Sequence, residues 1–349
     1  MSDNAVTRLW DKVRAWFDAD AVHLHCLRFD ETDAASLRPN DSYLRIVISE
    51  LFVRDSVRWS RERYPAVQAA AKLAYGGRQP VTFATLARPE ESQLGPGVFQ
   101  DYELTYLVPY LGQSVEIEVS LFEILGENRL GTALDVLGEF ATLVAPPLSA
   151  VVPVMDKIAS GIDKVITANG TAPVLALHGM LSPTGADSGG LRPGWIAVIR
   201  ATQDVLPREQ LRIVGGRLHR LTGPTTSEPL AGFDFAVVRV EGKQSRAVDS
   251  DWLAPDIDKA LSDARFARDT GTAEEFADAR KALLGAVYYS PDFSPADRKR
   301  VAQLVKEEID DATAGAAGGG EDTISSLVAR RGLPSPADVE ELDFETLIG

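Results

Sequence analysis

The run VEIEVSLFEIL, residues Val115 to Leu125, decides the fold class of this chain. Val115, Ile117, Val119 and Leu121 share one side of an extended strand, and Glu116, Glu118 and Ser120 share the other. Successive side chains of a strand point to opposite faces, so the spacing describes a strand with one apolar and one polar face. A sheet with one wet face favours antiparallel pairing, because parallel strands are normally covered by helices on both sides.

The same period extends outward in both directions. VHLHCLRF (Val22 to Phe29) alternates, and YLRIVISELFV (Tyr43 to Val53) follows as a second strand. Val81-Thr82-Phe83 and Tyr102 to Val108 read as further strands, with PYLGQ (Pro109 to Gln113) as a turn. Arg58 to Tyr75 admits two readings: Ala69-Ala70-Ala71 favours a helix, whereas Leu73 and Tyr75 beside Gly76-Gly77 favour a hairpin. Strands return at Pro173 to Leu177, Trp195 to Ala201, Leu211 to Val214 and Phe233 to Val240, between turns at Gly189-Gly190 and Gly215-Gly216. Many short strands separated by turn residues predict a β-sandwich, with a loose resemblance to C2 domains.

Helical patterns bracket and interrupt these strands. Asn4 to Asp18 reads as an amphipathic helix through Leu9, Trp10, Val13, Trp16 and Phe17. Leu130 to Val144 and Leu148 to Thr167 are apolar on most sides, and Pro146-Pro147 separates them. Such helices belong at the centre of a core, the alternative being a membrane-active hairpin. Pro255 to Ala314 reads as helical. Ser294-Pro295-Ala296-Asp297 forms a capping-box pattern ahead of Val301, Leu304, Val305 and Ile309. Gly315 to Gly320 reads as a linker to an acidic tail.

The reading is therefore α+β. An N-terminal helix (1–20) precedes an antiparallel β-rich, sandwich or C2-like domain (21–125). A central apolar helical hairpin (126–170) is followed by a second β-rich part of the same body (171–245). A helical bundle (250–314) and a flexible acidic tail (315–349) complete the chain.

Composition limits the partners. Apolar residues make up 45% and charged residues 25%, with a net charge of −15. That is a globular balance. The negative charge argues against nucleic acid, whose phosphates need clustered Lys and Arg, and against acidic membrane surfaces. Cys26 is the sole cysteine, so no intrachain disulfide forms. The first twenty residues lack the apolar core of a signal peptide. The longest uncharged run, Phe140 to Met155, contains Pro146, Pro147 and Pro153 and is too short to span a bilayer. A cytoplasmic, soluble protein is expected.

Chemistry-bearing residues are scarce, with four histidines in 349 residues. His23 and His25 lie two apart on a strand and share a face, so they are the weak metal candidates, with His178 and His219 the other histidines available. The simpler reading is a pair of ordinary strand histidines. Asp187-Ser188-Gly189-Gly190 resembles part of the nucleophile motif of trypsin-like proteases. Ala186 stands where that motif has glycine, and no Thr-Ala-His-Cys segment precedes it. Pro173 to Gly179 (PVLALHG) looks like the first strand and oxyanion loop of α/β-hydrolases, but the chain has no Gly-x-Ser-x-Gly elbow. Asp249, Asp251, Asp256 and Asp258 form an acidic pattern without a diagnostic calcium spacing. No catalytic residue, metal or cofactor is expected.

The C-terminal segment differs in kind. Val339, Leu342, Phe344, Leu347 and Ile348 are apolar positions spaced along an acidic stretch beyond the glycine linker. Such a segment suits docking as a short helix into a partner's groove. TISSLVARRG (Thr323 to Gly332) is a second docking candidate, with Arg330 and Arg331 as contact residues or a protease-sensitive point. The expected function is a non-catalytic interaction or regulatory protein, an adaptor, assembly subunit or inhibitor. It would bind a protein partner, a further copy of the chain included, through this tail or a sheet edge. The alternatives are a metal-dependent or serine hydrolase using the His23/His25 or Ser188 region, and a membrane-active protein releasing residues 130–167.

Overall fold

The structure, a computed structural model, describes residues 24–31, 34–52, 54, 63–73, 81–87, 99–112, 114–125, 175–181, 191–246, 255–311 and 323–349. The predicted helices at 4–18 and 130–167 lie outside the described residues.

Six strands form the largest sheet: β1 (Leu24–Asp30), β2 (Tyr43–Phe52), β5 (Phe99–Glu103), β6 (Val108–Pro109), β9 (Gly194–Arg200) and β13 (Phe235–Lys243). Their order is β1-β9-β13-β2-β5, with β6 also paired to β2. A four-stranded sheet runs β4-β3-β7-β8, from β3 (Arg63–Leu73), β4 (Val81–Ala87), β7 (Val115–Leu125) and β8 (Leu175–Leu181). A small sheet joins β10 (Leu211–Val214), β11 (Arg217–Leu221) and β12 (Ser227–Pro229). Every strand pair among the described residues is antiparallel, as the alternation predicts.

β7 keeps its predicted pattern: Val115, Ile117 and Val119 are buried, and half-buried Glu116 meets Lys72 across the ladder at 3.6 Å. The central strands of the large sheet depart from the expected wet face, because apolar layers cover that sheet on both sides. On one side Ile46, Ile48, Val198 and Val238 share a buried cluster with Ala71, Ile117, Val119 and Leu175 of the four-stranded sheet. On the other side Leu27, Ile199, Phe235 and Val237 pack with Leu211 and Leu218 of the small sheet. Fully burying one such side chain contributes about 1.5–3 kcal/mol, so the doubly covered sheet is the main apolar store of the fold.

A bulge in β2 explains why YLRIVISELF does not alternate strictly. Val237 lies opposite Glu50 and Val238 opposite Ile48, which leaves Ser49 as the extra residue. One inserted residue reverses the parity of everything after it. Leu51 therefore joins Ile46 and Ile48 in the same cluster, and Glu50 turns toward the small sheet. There the buried Glu50 carboxylate accepts from Leu218 N at 2.7 Å and from Arg217 Nε at 3.1 Å, and Ser49 Oγ donates to Gly216 O at 2.6 Å. Gly215 and Gly216 make the β10–β11 turn with φ of 57° and 79°, values that suit a two-residue hairpin turn and favour glycine.

The alanine-rich stretch is β3, and Leu73 faces Val81 across the predicted hairpin. Ala69 and Ala71 are fully buried, so the small residues serve the interior of the sheet pair rather than a helix.

The helical region begins with α1 (Pro255–Thr270), α2 (Ala273–Tyr288) and α3 (Pro295–Asp310). Thr272 and Glu275 form a reciprocal capping box at α2. At α3 the expected box is half made. Ser294 accepts from Asp297 N, but the Asp297 carboxylate is drawn elsewhere, to the Tyr43 hydroxyl at 2.9 Å. The flexible tail expected over 315–349 is corrected over 323–349, which fold as α4 (Ile324–Arg331), a 3-10 turn at Pro336–Val339 and α5 (Phe344–Ile348), packed on α1–α3. Among the described residues no helix is long and apolar enough to cross a membrane.

Candidate interaction site at the C-terminal segment

Each C-terminal element carries its own start signal. Thr323 caps α4 by accepting from Ser326 N, and Gly332, at φ 73°, ends it. Ser335 and Asp338 form a capping box around the 3-10 turn. Asp343 caps α5, and its bonds from the Thr346 hydroxyl and backbone hold its carboxyl below the usual carboxylate range. These local devices satisfy backbone donors that the starts of these short elements would otherwise leave free.

The segment is attached with two different strengths. α4 is held firmly: Ile324, Leu327 and Val328 are buried in the bundle core. Its first free backbone N–H, on Ile324, donates to Asp258 Oδ1 at 2.8 Å, and burial pushes the Asp258 carboxyl up. Beneath its last turn lies Glu308 of α3, which is fully buried. Arg265 and Arg330 reach its Oε1 at 2.7 and 3.1 Å, and Arg331 reaches its Oε2 at 3.2 Å. A buried carboxylate persists only with such compensation. Arg330 and Arg331, expected to act in docking or cleavage, thus sit in ion pairs at the end of a folded helix.

Residues 333–349 form a thinner strap. Only Val339 and Leu347 of this stretch are fully buried, while Leu342, Phe344 and Ile348 are half-buried against the bundle. Phe344 packs between Tyr288 and Tyr289, with ring centroids 5.5 and 5.1 Å away, and it lies over Gly285. Polar contacts to the strap read its backbone: Arg300 Nε donates to Pro334 O at 2.7 Å and Lys299 Nζ to Glu340 O at 2.6 Å. Arg280 donates to Leu347 O and Ile348 O, both at 3.3 Å. Arg280 is itself fixed by a two-pronged pair with Asp310 at 2.7 and 2.9 Å, which holds the Asp310 carboxyl below its usual range. Four of the apolar residues that sequence spacing singled out, Leu342, Phe344, Leu347 and Ile348, are therefore brought together against the chain's own helices, and Val339 is buried in the 3-10 turn.

The chemical candidates are not brought together. His23, Ser188, Asp249 and Asp251 lie outside the described residues. His25 lies on β1 beside exposed Cys26, and its Nδ1 is buried without a hydrogen-bond partner among the described residues. His178 lies on β8 opposite Glu118 in register. His219 lies on β11, 3.3 Å from Ser227 Oγ, and burial together with Arg217 and Arg212 pushes its imidazole down. Asp256 and Asp258 head α1, where Asp258 serves α4. Among the described residues no group of three His, Cys, Asp or Glu is placed to hold a metal ion.

Sequence reasoning missed one polar cluster. Tyr43 OH donates to Asp297 Oδ2, Ser294 N donates to Tyr43 OH at 2.9 Å, and Arg300 Nη1 donates to Asp297 Oδ1 at 2.9 Å. Ser245 Oγ approaches the same carboxylate at 3.3 Å, and Arg246 Nη1 donates to Asp292 O at 2.9 Å. Burial and the Asp297 charge push the Tyr43 phenol far above its ordinary range. The cluster joins β2 and the end of β13 to the start of α3. No local signal announces a contact between residues 254 positions apart.

Comparison with protein families, with characterised proteins and with solved structures finds no match to the chain.

Proposed function

We propose that this chain is a non-catalytic interaction or regulatory protein of the cytoplasm, and that residues 333–349 are its docking element. The observation that carries this reading is the unequal attachment of the C-terminus. Val339, Leu342, Phe344, Leu347 and Ile348 sit on a pre-capped strap with two fully buried anchors, downstream of the glycine run 315–320. Residues so held can leave one groove for another at small cost, which suits a segment that docks as a short helix. The β body is read as a sandwich of C2-like type, supported by the single apolar cluster that its two larger sheets share. It serves as the scaffold.

A sheet edge is the weaker surface. β1 ends the six-stranded sheet among the described residues, and Arg208 Nη2 already donates to the Arg28 carbonyl there at 2.8 Å. Charged side chains placed on an edge discourage strand addition.

Affinity capture from native lysate, comparing the full chain with its Phe344→Asp/Leu347→Asp variant, tests the proposal. A specific partner retained by the first and lost by the second is the expected result. Identical capture profiles would remove the strap from the interaction.

A further inference from the structure

We infer that the groove under the strap, between α2 and α3, is itself a peptide-binding site, and that residues 339–349 are its built-in competitor. The inference rests on the reading that the strap can leave, and it adds what the vacated groove takes: a short acidic helix of a partner protein. The chain's own segment displays the chemistry required. Phe344 fills the space between Tyr288 and Tyr289 over Gly285, and Leu347 is fully buried one helical turn later. A ligand therefore needs an aromatic residue and, three positions on, a leucine, on one helix face.

The polar side of the groove favours acidic ligands. Arg280, Lys299 and Arg300 donate to strap carbonyls, so they recognise backbone and leave side-chain identity open. The strap that occupies the groove is itself acidic, carrying Asp338, Glu340, Glu341, Asp343 and Glu345. Lys299 contributes to holding the Asp343 carboxyl down, so the complementarity is felt at the cap itself. A foreign helix with an acidic N-cap, an aromatic at the first position and leucine at the fourth would reproduce each of these contacts.

Mass action makes the strap a gate. A segment joined by a few residues to the firmly held α4 competes at an effective concentration on the order of 1 mM. A free peptide of the same sequence, at micromolar concentration, therefore loses to it until the strap is weakened. The mechanism needs no second conformation of the bundle.

The test uses fluorescein-labelled VEELDFETLIG, residues 339–349, titrated into full-length protein and into full-length Leu347→Asp while anisotropy is followed. The expected result is binding to the variant at least about tenfold tighter than to the unaltered chain, by the effective-concentration argument. A probe with its own Phe and Leu changed to Ala should bind neither. Adding Arg280→Gln to the Leu347→Asp chain should weaken the probe again. Circular dichroism establishes that each variant bundle is folded, and Phe344→Ala replaces Leu347→Asp should the latter unfold it. A folded variant that ignores the probe, or equal binding to both chains, overturns the inference. Probe binding without any partner captured from lysate would instead remove the docking role proposed for the strap and leave the groove standing.

Discussion

The β body and the helical region bury themselves with different proportions of apolar and polar contact. The six-stranded sheet presents apolar residues to both faces and is covered twice, by the four-stranded sheet on one side and the β10–β12 sheet on the other. The helical region buries an apolar core of its own and adds two carboxylates as fixed points, where the β body has one in Glu50. Glu308 organises three arginines under α4, and Asp297 organises Tyr43, Ser245 and Arg300 at the start of α3. Apolar burial is non-directional and tolerates sliding. A buried carboxylate with several donors permits one arrangement, because each lost partner leaves a charge or donor unpaired in low dielectric. The fold therefore has a centre held mainly by apolar area and a helical end in which apolar area is joined by fixed polar geometry.

The sharpest way to break this contrast is Asp297→Ala. The substitution removes a carboxylate that is 2% exposed and strands Arg300 and the Tyr43 hydroxyl. Breaking a buried, hydrogen-bonded charge cluster from one side costs about 3–5 kcal/mol. The loss should fall on the junction. Denaturant unfolding followed by helical circular dichroism should move to lower midpoint, ahead of the loss of amide protection in β9. A loss of less than about 1 kcal/mol, within the range of an ordinary hydrogen bond, would show that apolar contacts hold the two regions together instead.

That cluster also marks where sequence reading stops. The start of α3 is legible from Ser294 and Pro295, because capping is a local contact. The diversion of Asp297 to Tyr43 is not, because the partner is distant in sequence. β7 is legible through its strict period, whereas β2 hides a parity change that only the bulge at Ser49 explains. Ala69-Ala70-Ala71 suggests helix by propensity, and the close interior of two sheets overrides it. In the C-terminal segment, the spacing of Val339, Leu342, Phe344, Leu347 and Ile348 identifies apolar positions suited to a groove. It carries no information on whose groove receives it, since a groove on the same chain and one on a partner demand the same pattern. Arg330 and Arg331 read as a surface pair, because the carboxylate that takes them, Glu308, gives no local sign of being buried.

Acid should separate the strap from the β body. Asp310 and Asp343 have carboxyls held below the ordinary value, by Arg280 and by Thr346 respectively. An acid whose folded-state pKa is depressed contributes stability that is present above its unfolded value, near 4, and lost as pH falls through the folded one. Protonation there loosens the Arg280 contact with the strap carbonyls and weakens the α5 cap. Asp258, pushed up by burial, acts in the opposite sense and eases as it protonates, but it serves α4 and not the strap. Protection factors of residues 339–349, corrected for the intrinsic pH dependence of exchange, should therefore fall as pH drops below about 4, while amides of β2 and β13 keep theirs. Simultaneous loss of protection in both places would mean that the strap is as firmly held as the sheet.

The smallest effect probes the groove floor from beneath. Gly285 lies within α2, and an added Cβ would stand 3.7 Å from Phe344 Cζ, an ordinary contact distance. Glycine inside a helix is less favourable than alanine by roughly 0.5–1 kcal/mol, through its greater freedom in the unfolded chain. Gly285→Ala should thus raise the stability of the bundle by about that amount and leave strap exchange unchanged, because the methyl group extends the surface Phe344 already touches. Gly285→Leu has the same backbone advantage but fills the space that Phe344 occupies, so it should expel the strap while α2 stays helical. Measuring both separates the intrinsic stability of the bundle from the occupancy of its groove. If the leucine variant keeps the strap protected from exchange, Phe344 has room to move aside, and the strap depends on Leu347 and Arg280 instead.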